Sequence, residues 1–133
     1  MGEVVVCKPK VVKWKEVEPQ RVPESAASKT TLRWVIGPGE APTFYLRVFE
    51  VERGGEIYEH SHPWEHEIFI LNGKGLIKIN GVEYEVEPGT VIYIPPCAPH
   101  SYKNVGDDVL RFICIIPKEG ARGTPTNYQE SEK

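Results

Sequence analysis

The sequence contains no long apolar segment and only three cysteines, so it lacks the usual features of membrane proteins and of disulfide-rich secreted proteins. Its longest apolar runs are a few residues, whereas a membrane-spanning helix needs about 20. The three cysteines are an odd number without a Cys-x-x-Cys pair, which argues against a disulfide framework. Residues 1–10 lack the charged-then-apolar pattern of a secretory signal. We therefore expect a cytoplasmic protein without a membrane partner.

Charge and composition narrow the class further. The net charge of −3 gives no electrostatic basis for binding nucleic acid or an anionic membrane surface. A chain of 133 residues with 40% hydrophobic and 26% charged residues matches one globular domain with a core. No long segment has helical periodicity, and no internal repeat is visible, so we expect a single all-β domain.

Turn signals recur every eight to twelve residues, which is typical of a β-sandwich or barrel. The β-branched and aromatic runs between them predict strands at residues 30–36, 44–51, 67–71, 76–80, 82–86, 91–94, 100–104 and 109–116. Gly54-Gly55 is one of the predicted turns. Asn80-Gly81 is the strongest hairpin signal, because both residues tolerate the positive φ of a type I′ turn.

The predicted domain has three parts. Residues 1–36 hold N-terminal strands and an irregular lead-in, which includes residues 17–28 and belongs to the same domain. Residues 37–117 form the barrel core. Residues 118–133 are polar and contain Gly and Pro, so we expect a flexible C-terminal tail.

All four histidines of the chain fall where one metal site would need them. His60, His62 and His66 lie within seven residues, and His100 follows a second Pro-rich turn. Residues i and i+2 of a strand share a face, so His60 and His62 can converge on one ion. Pro63 interrupts the strand and allows His66 to return to the same centre. Four neutral imidazoles leave a six-coordinate ion two open positions for water, dioxygen or substrate.

The spacing of these residues resembles the two motifs of the cupin family, which are small jelly-roll barrels. The first motif is matched by Gly54, His60, His62, Glu67 and Gly73, and the second by Gly89, Pro95, Cys97, His100 and Asn104. Two departures stand out. Cys97 replaces a glycine, so the turn there is expected to differ, and the step from Glu67 to Gly73 is one residue short.

The resemblance implies a divalent metal but leaves the fourth ligand open. The usual cupin site has three histidines and one glutamate, which would be Glu67. His66 instead resembles the fourth ligand of small single-domain cupins with a four-histidine manganese site. Adjacent residues of a strand face opposite sides, so only one of the two can reach the ion. We favour His66, with Glu67 as the alternative, and expect Ile68 and Ile70 to face inward with it.

Three further residues are candidates for the pocket, and no catalytic residue is assigned. Arg47 either points inward and binds an anionic substrate, or points outward and pairs with a carboxylate. Cys114 is either a small buried hydrophobic residue or a thiol near the metal. Phe112 lies on the same predicted strand as Cys114.

The resemblance implies Mn(II) first, with Fe(II), Ni(II) or Zn(II) as other candidates. The function expected first is a metal-dependent oxidoreductase, such as a dioxygenase, acting on a small organic substrate. The alternatives are a metal-dependent isomerase or lyase and a non-catalytic module that binds a small ligand. Val11, Val12 and Trp14 form an apolar outer face before the barrel, so we expect a homodimer.

Overall fold

The computed structural model describes residues 7–121 and consists mostly of antiparallel strands. The strands are β1 Gln20–Arg21, β2 Ala27–Ile36, β3 Phe44–His60, β4 His66–Asn72, β5 Gly75–Ile79, β6 Val82–Val86, β7 Val91–Ile94, β8 His100–Asn104 and β9 Leu110–Pro117. Two short 3-10 helices span Trp14–Glu16 and Lys118–Ala121.

The strands form one curled sheet with the order β6-β5-β8-β3-β9-β4-β7, and β2 and β1 extend it from β3. Every strand pair is antiparallel. The first half of β3 pairs with β9 and its second half pairs with β8, so β3 links the two parts of the barrel. The expectation of an all-β jelly-roll fold is therefore confirmed.

The predicted turn at Gly54-Gly55 is wrong, because β3 runs through it. Gly54 has φ +80°, and the pairing of β2 with β3 shifts register between Ser28 and Thr30. A Cβ on Gly55 would lie 2.7 Å from the carbonyl oxygen of Ser28. The two glycines therefore permit a bulge within a long strand, and the local pattern alone cannot distinguish a bulge from a turn.

The Asn80-Gly81 hairpin is confirmed. The two residues have φ 52° and 81°, and Ile79 pairs with Val82 across the turn between β5 and β6. The predicted irregular lead-in holds more strand than expected, because β1 and the start of β2 lie within residues 17–28. The pairing of β2 along β3 supplies the long-range contact that the local sequence does not reveal.

The core lies inside the barrel, where alternate residues of several strands point. On β9, Leu110, Phe112, Cys114 and Ile116 are buried and the residues between them are partly exposed. The ring of Phe112 stacks on Phe49 at 5.3 Å and on Tyr102 at 5.1 Å. This aromatic stack joins β9, β3 and β8 next to the cluster of histidines.

The predicted boundaries at residues 36 and 117 stay a prediction. Residues 118–121 of the predicted tail form a 3-10 helix in which Ala121 is buried. Residues 1–6 and 122–133 lie outside the described residues. Within residues 7–121, no helix has the length and apolar character needed to cross a membrane.

The turn before β8 places Cys97 in the left-handed region that favours glycine, with φ 69°. The expectation that this turn differs from a glycine turn stays a prediction. The backbone N–H of Cys97 donates to the carbonyl oxygen of His62 at 2.7 Å, which joins this turn to the loop between β3 and β4. The left-handed conformation costs a residue with a Cβ about 1 kcal/mol.

Replacing Cys97 with glycine should therefore stabilise the protein by about 0.5–1 kcal/mol, because relief of strain exceeds the added entropy of the unfolded chain. The free energy of unfolding from urea titration measures the effect. Cys97→Ala is the matched control, since it removes the exposed thiol and keeps the strained φ. Equal stabilisation by both variants would contradict the explanation.

Candidate metal centre

The four histidines lie at or beside strand ends that meet at one end of the barrel. His60 is the last residue of β3, His66 is the first of β4, and His100 is the first of β8, while His62 lies in the loop between β3 and β4. His60 and His100 are register partners. One ring nitrogen from each of the four histidines lies within 4.8 Å of the others. The sequence prediction that these side chains come together is therefore matched by the geometry.

Three of the imidazoles are oriented by backbone carbonyl oxygens. The Nδ1 atoms of His60, His62 and His100 lie 2.8, 3.0 and 2.8 Å from the carbonyl oxygens of residues 58, 64 and 98. A carbonyl oxygen only accepts hydrogen bonds, so each Nδ1 carries the proton and donates it. The neutral tautomer that results has its lone pair on Nε2, the atom available to a metal.

The Nε2 atoms fit a metal ion. That of His100 is buried and has no hydrogen-bond partner. Those of His62 and His66 lie 2.9 Å apart. Metal–imidazole bonds of about 2.0–2.1 Å place nitrogens on one ion about 3–4 Å apart, within the observed spread. The donor set is neutral nitrogen, which suits zinc, iron and nickel better than calcium or magnesium. These residues form a cluster that could hold a divalent ion.

His66 differs from the other three because a thiol lies behind it. Its Nδ1 is 3.2 Å from Sγ of Cys114, and the same sulfur accepts a hydrogen bond from Nη2 of Arg47 at 3.1 Å. If His66 is to offer Nε2 to a metal, its Nδ1–H must donate to the sulfur. Cys114 thus takes the place that a carbonyl oxygen has behind each of the other histidines.

Glu67, the alternative ligand, points away from the cluster. It is exposed on the outer surface of β4, whereas His66, Ile68 and Ile70 are buried on the inner side. The alternation of β4 therefore places the two candidates on opposite faces, as strand geometry requires. Ile68 and Ile70 face inward as expected.

A narrow pocket opens beside the histidines. Arg47, Phe112 and Cys114 all line it, so the inward orientation is the one observed for Arg47. Trp64 also lines it and stacks on His62 at 4.5 Å with an interplanar angle of 6°.

Sequence reasoning missed Trp34, which contributes another wall of the pocket. It is the register partner of Arg47 on the neighbouring strand β2. Only that register could have revealed it, because nothing in the local sequence distinguishes Trp34 from other strand aromatics.

The site strongly favours neutral imidazoles. Burial, followed by the nearby His60, lowers the pKa of His62 to about 4 and that of His100 to about 3. Burial, followed by the charge of Arg47, holds the pKa of His66 well below its usual range. These three side chains are therefore uncharged near neutral pH and do not need to lose a proton to bind a metal.

Comparison with known proteins places this arrangement in context. A family model described as the cupin domain matches residues 47–116. The solved structure of the polyketide cyclase RemF from Streptomyces resistomycificus aligns with a TM-score of 0.76 and 35% identity, over 94% of this chain and 89% of that chain.

Two curated relatives bear different names. The 1-methylthio-D-xylulose 5-phosphate methylsulfurylase of Rhodospirillum rubrum is 30% identical over 95 residues, which are 71% of this chain and 61% of that protein. The oxalate-binding protein of Thermotoga maritima is 28% identical over 111 residues, 80% of this chain and 92% of that protein. The chain spans 50% and 61% of the length of two relatives that it matches. These names cover an enzyme and a binding protein, so the family alone does not fix an activity.

The role of Cys114 can be tested by metal affinity. Cys114→Ala removes the acceptor behind His66 and should weaken metal binding about 10- to 100-fold, whereas Cys114→Ser retains an acceptor and should bind more tightly than the alanine variant. Competition with a chromophoric chelator gives the dissociation constants. The exposed Cys97→Ala is the control, and thermal unfolding of the metal-free variants shows whether packing changed. Equal affinity of Cys114→Ala and the parent protein would contradict this role.

Stability of the metal-free protein should fall as the pH decreases from about 6.5 toward 4, because unfolded histidine has a pKa near 6.5 and His62, His66 and His100 have lower values when folded. The unfolded state then binds more protons, so acid favours unfolding. Urea titrations with EDTA at pH 7.5, 6.5 and 5.5 measure this, and His100→Gln should flatten the dependence. A free energy of unfolding that is constant over this pH range would refute the lowered pKa values of these histidines in the folded state.

Proposed function

Because the chain belongs to the cupin family, we propose that it is a metal-dependent enzyme acting on a small organic substrate, and that its reaction is an oxidation by dioxygen. His60, His62, His66 and His100 hold the ion. The observation that supports oxidation best is the character of the pocket: it joins three of the four imidazoles to aromatic walls and one guanidinium, with no carboxylate among the described residues that line it.

Neither Glu67 nor Glu50 is positioned to act as a base in the pocket. Glu67 is exposed on the outer side of β4. Glu50 accepts hydrogen bonds from Arg33 at 2.6 Å and from Arg111 at 2.9 Å, so its carboxylate is held in ion pairs. An isomerase or lyase that removes a proton from carbon needs a base within hydrogen-bond reach of the substrate. Oxidation by dioxygen places less demand on a protein base, which favours it here.

The protein residues have separate parts in this proposal. When bound, a divalent manganese or iron ion supplies redox chemistry, with positions left open for exogenous ligands. The imidazoles set the number and direction of the ligands. Trp64 and Phe112 present apolar surface to the substrate and reduce access of water. Mn(II) remains the first candidate because the histidine run resembles that of cupins with a four-histidine manganese site. Fe(II), Ni(II) and Zn(II) are the others, because they accept imidazole nitrogen.

A second candidate is Lewis-acid chemistry, such as cyclisation or elimination. It is favoured by the 35% identity to a polyketide cyclase over 94% of this chain. In this second candidate function, a divalent ion bound by this protein would polarise a carbonyl group of the substrate, and no dioxygen would be consumed. Binding of a small ligand without turnover is the third reading, since one relative is named for oxalate binding. The same measurement separates all three.

A homodimer is also part of the proposal. Val11 is 93% exposed and Val12 is 41% exposed, which leaves apolar surface in the segment that precedes β1. Trp14 is instead covered by the guanidinium groups of Arg33 and Arg111, at 5.0 and 4.8 Å from its ring. The contact between copies would therefore use the valines more than Trp14.

The proposed chemistry is tested with anaerobically purified protein loaded with Mn(II) or Fe(II) and measured for oxygen uptake against catechols, thiols and diketones. Wild type should consume oxygen with at least one substrate. His66→Ala should reduce turnover strongly, because the ion loses one of four nitrogens, while Glu67→Gln should retain most of it.

Metal content must be determined for each variant, since lost metal and lost chemistry give the same rate. Conversion of a diketone without oxygen uptake would replace oxidation by Lewis-acid chemistry. A Glu67→Gln variant that is inactive with its metal retained would assign Glu67 as an acid or base. If metal-loaded wild type converts none of the substrates, the third candidate function, binding of a small ligand without turnover, is favoured.

A further inference from the structure

Arg47 is a buried cation in the wall of the pocket. Its side chain is 6% exposed, and it lies on β3 between Trp34 of β2 and Cys114 of β9 in the strand register. Its guanidinium carbon is 5.5 Å from the ring centre of Trp34 and 4.9 Å from that of Phe49. The group is thus enclosed by aromatic rings next to the histidines.

The charge of Arg47 has no acidic partner within residues 7–121. Its hydrogen bond to Cys114 ends on a thiol, and its Nε is buried without an acceptor. Two other arginines, Arg33 and Arg111, both pair with Glu50. A buried guanidinium without a carboxylate loses hydration that aromatic contacts replace only in part. Such a group lowers the stability of the folded protein. The simplest reason to retain it is that it binds an anion.

A second donor without an acceptor lies on the same pocket wall. Nε1 of Trp34 is buried and has no hydrogen-bond partner. Trp34 and Arg47 both line the pocket that His60, His62 and His66 enter. Two hydrogen bonds, of 3.1 and 3.2 Å, lead from Nη2 of Arg47 through Cys114 to His66. A ligand held by these donors therefore lies close to the metal centre.

We propose that the ligand is a small planar organic oxyanion, a carboxylate or an enolate, whose charged oxygens accept hydrogen bonds from Arg47 and Trp34. The rest of the molecule packs against the aromatic walls and faces the histidine cluster. This assignment rests on the proposed function, because it makes the oxyanion the part of the substrate that sets its orientation at the metal. The planar guanidinium suits two coplanar oxygens better than a single neutral carbonyl.

The test measures binding to metal-free protein and to protein loaded with redox-inactive Zn(II), by calorimetry and thermal shift. Benzoate and acetate are the probes, and benzamide and acetamide are their uncharged counterparts. Wild type should bind each carboxylate more tightly than its amide. Arg47→Gln should weaken carboxylate binding about 10- to 100-fold, the effect of losing a charged hydrogen bond. Arg47→Lys keeps the charge and should lose less.

Arg53→Gln is the matched control, since Arg53 is exposed and also lies on β3. It should bind the carboxylates as wild type does. Without anions, Arg47→Gln and Arg47→Met should unfold at the same temperature as wild type or higher, because a buried unpaired charge has been removed. Failure of both variants to fold would show that the cation serves the fold and would overturn the proposal.

Three other outcomes would also overturn it: equal binding of benzoate and benzamide, equal binding of benzoate by Arg47→Gln and wild type, or stabilisation by chloride equal to that by the carboxylates. Titration of the same samples with Mn(II) and Zn(II) tests the proposed function separately. Carboxylate binding through Arg47 without metal binding would contradict the proposed metal-dependent activity and support the anion site. Metal binding without a carboxylate preference would contradict the anion site alone.

Discussion

Four imidazole rings can act on one ion only if each is prevented from rotating its lone pair elsewhere. In this protein the restraint comes from behind: carbonyl oxygens hold the Nδ1 atoms of His60, His62 and His100, and the sulfur of Cys114 contacts Nδ1 of His66. Three of the restraining groups belong to the backbone, so the ligand geometry depends directly on the positions of the strand ends. The barrel must therefore fix those ends before the side chains can form a site.

The barrel fixes them through long-range pairing. β3 carries His60 at its end and pairs with β2, β8 and β9, which makes it the strand with the most neighbours in the sheet. The stacked rings of Phe49, Phe112 and Tyr102 pack these strands together below the histidines. Burial there also lowers the pKa values of the histidines, so the same packing that supports the site keeps its nitrogens available. Stability and metal affinity are linked through one set of contacts.

The sequence was enough to predict the parts that depend on local spacing. The period of two along β4 correctly separated His66 from Glu67, and the positive-φ residues Asn80 and Gly81 identified the hairpin. The parts that failed depend on register between distant strands. Gly54-Gly55 looks like a turn locally, but β3 pairs with β2 on both sides of it, at Val51 and at Glu56, which makes it a bulge.

The surroundings of Arg47 show the same limit. Its direction was open in the sequence because both orientations fit an arginine on a strand. Trp34 and Cys114 become its neighbours only through pairing of β3 with β2 and β9. Cys97 is a different case, because it has a left-handed backbone conformation that favours glycine. The chemistry of a pocket in a β-barrel is thus set by residues far apart in the chain.

The most direct test of the account is a high-resolution crystal structure of protein loaded anaerobically with Mn(II), with anomalous scattering to identify the ion. The account predicts one ion bound by Nε2 of His60, His62, His66 and His100 at about 2.0–2.3 Å, with positions remaining for solvent or substrate. Glu67 on the ion with His66 turned away, or a closed tetrahedral shell without an exogenous ligand, would contradict it.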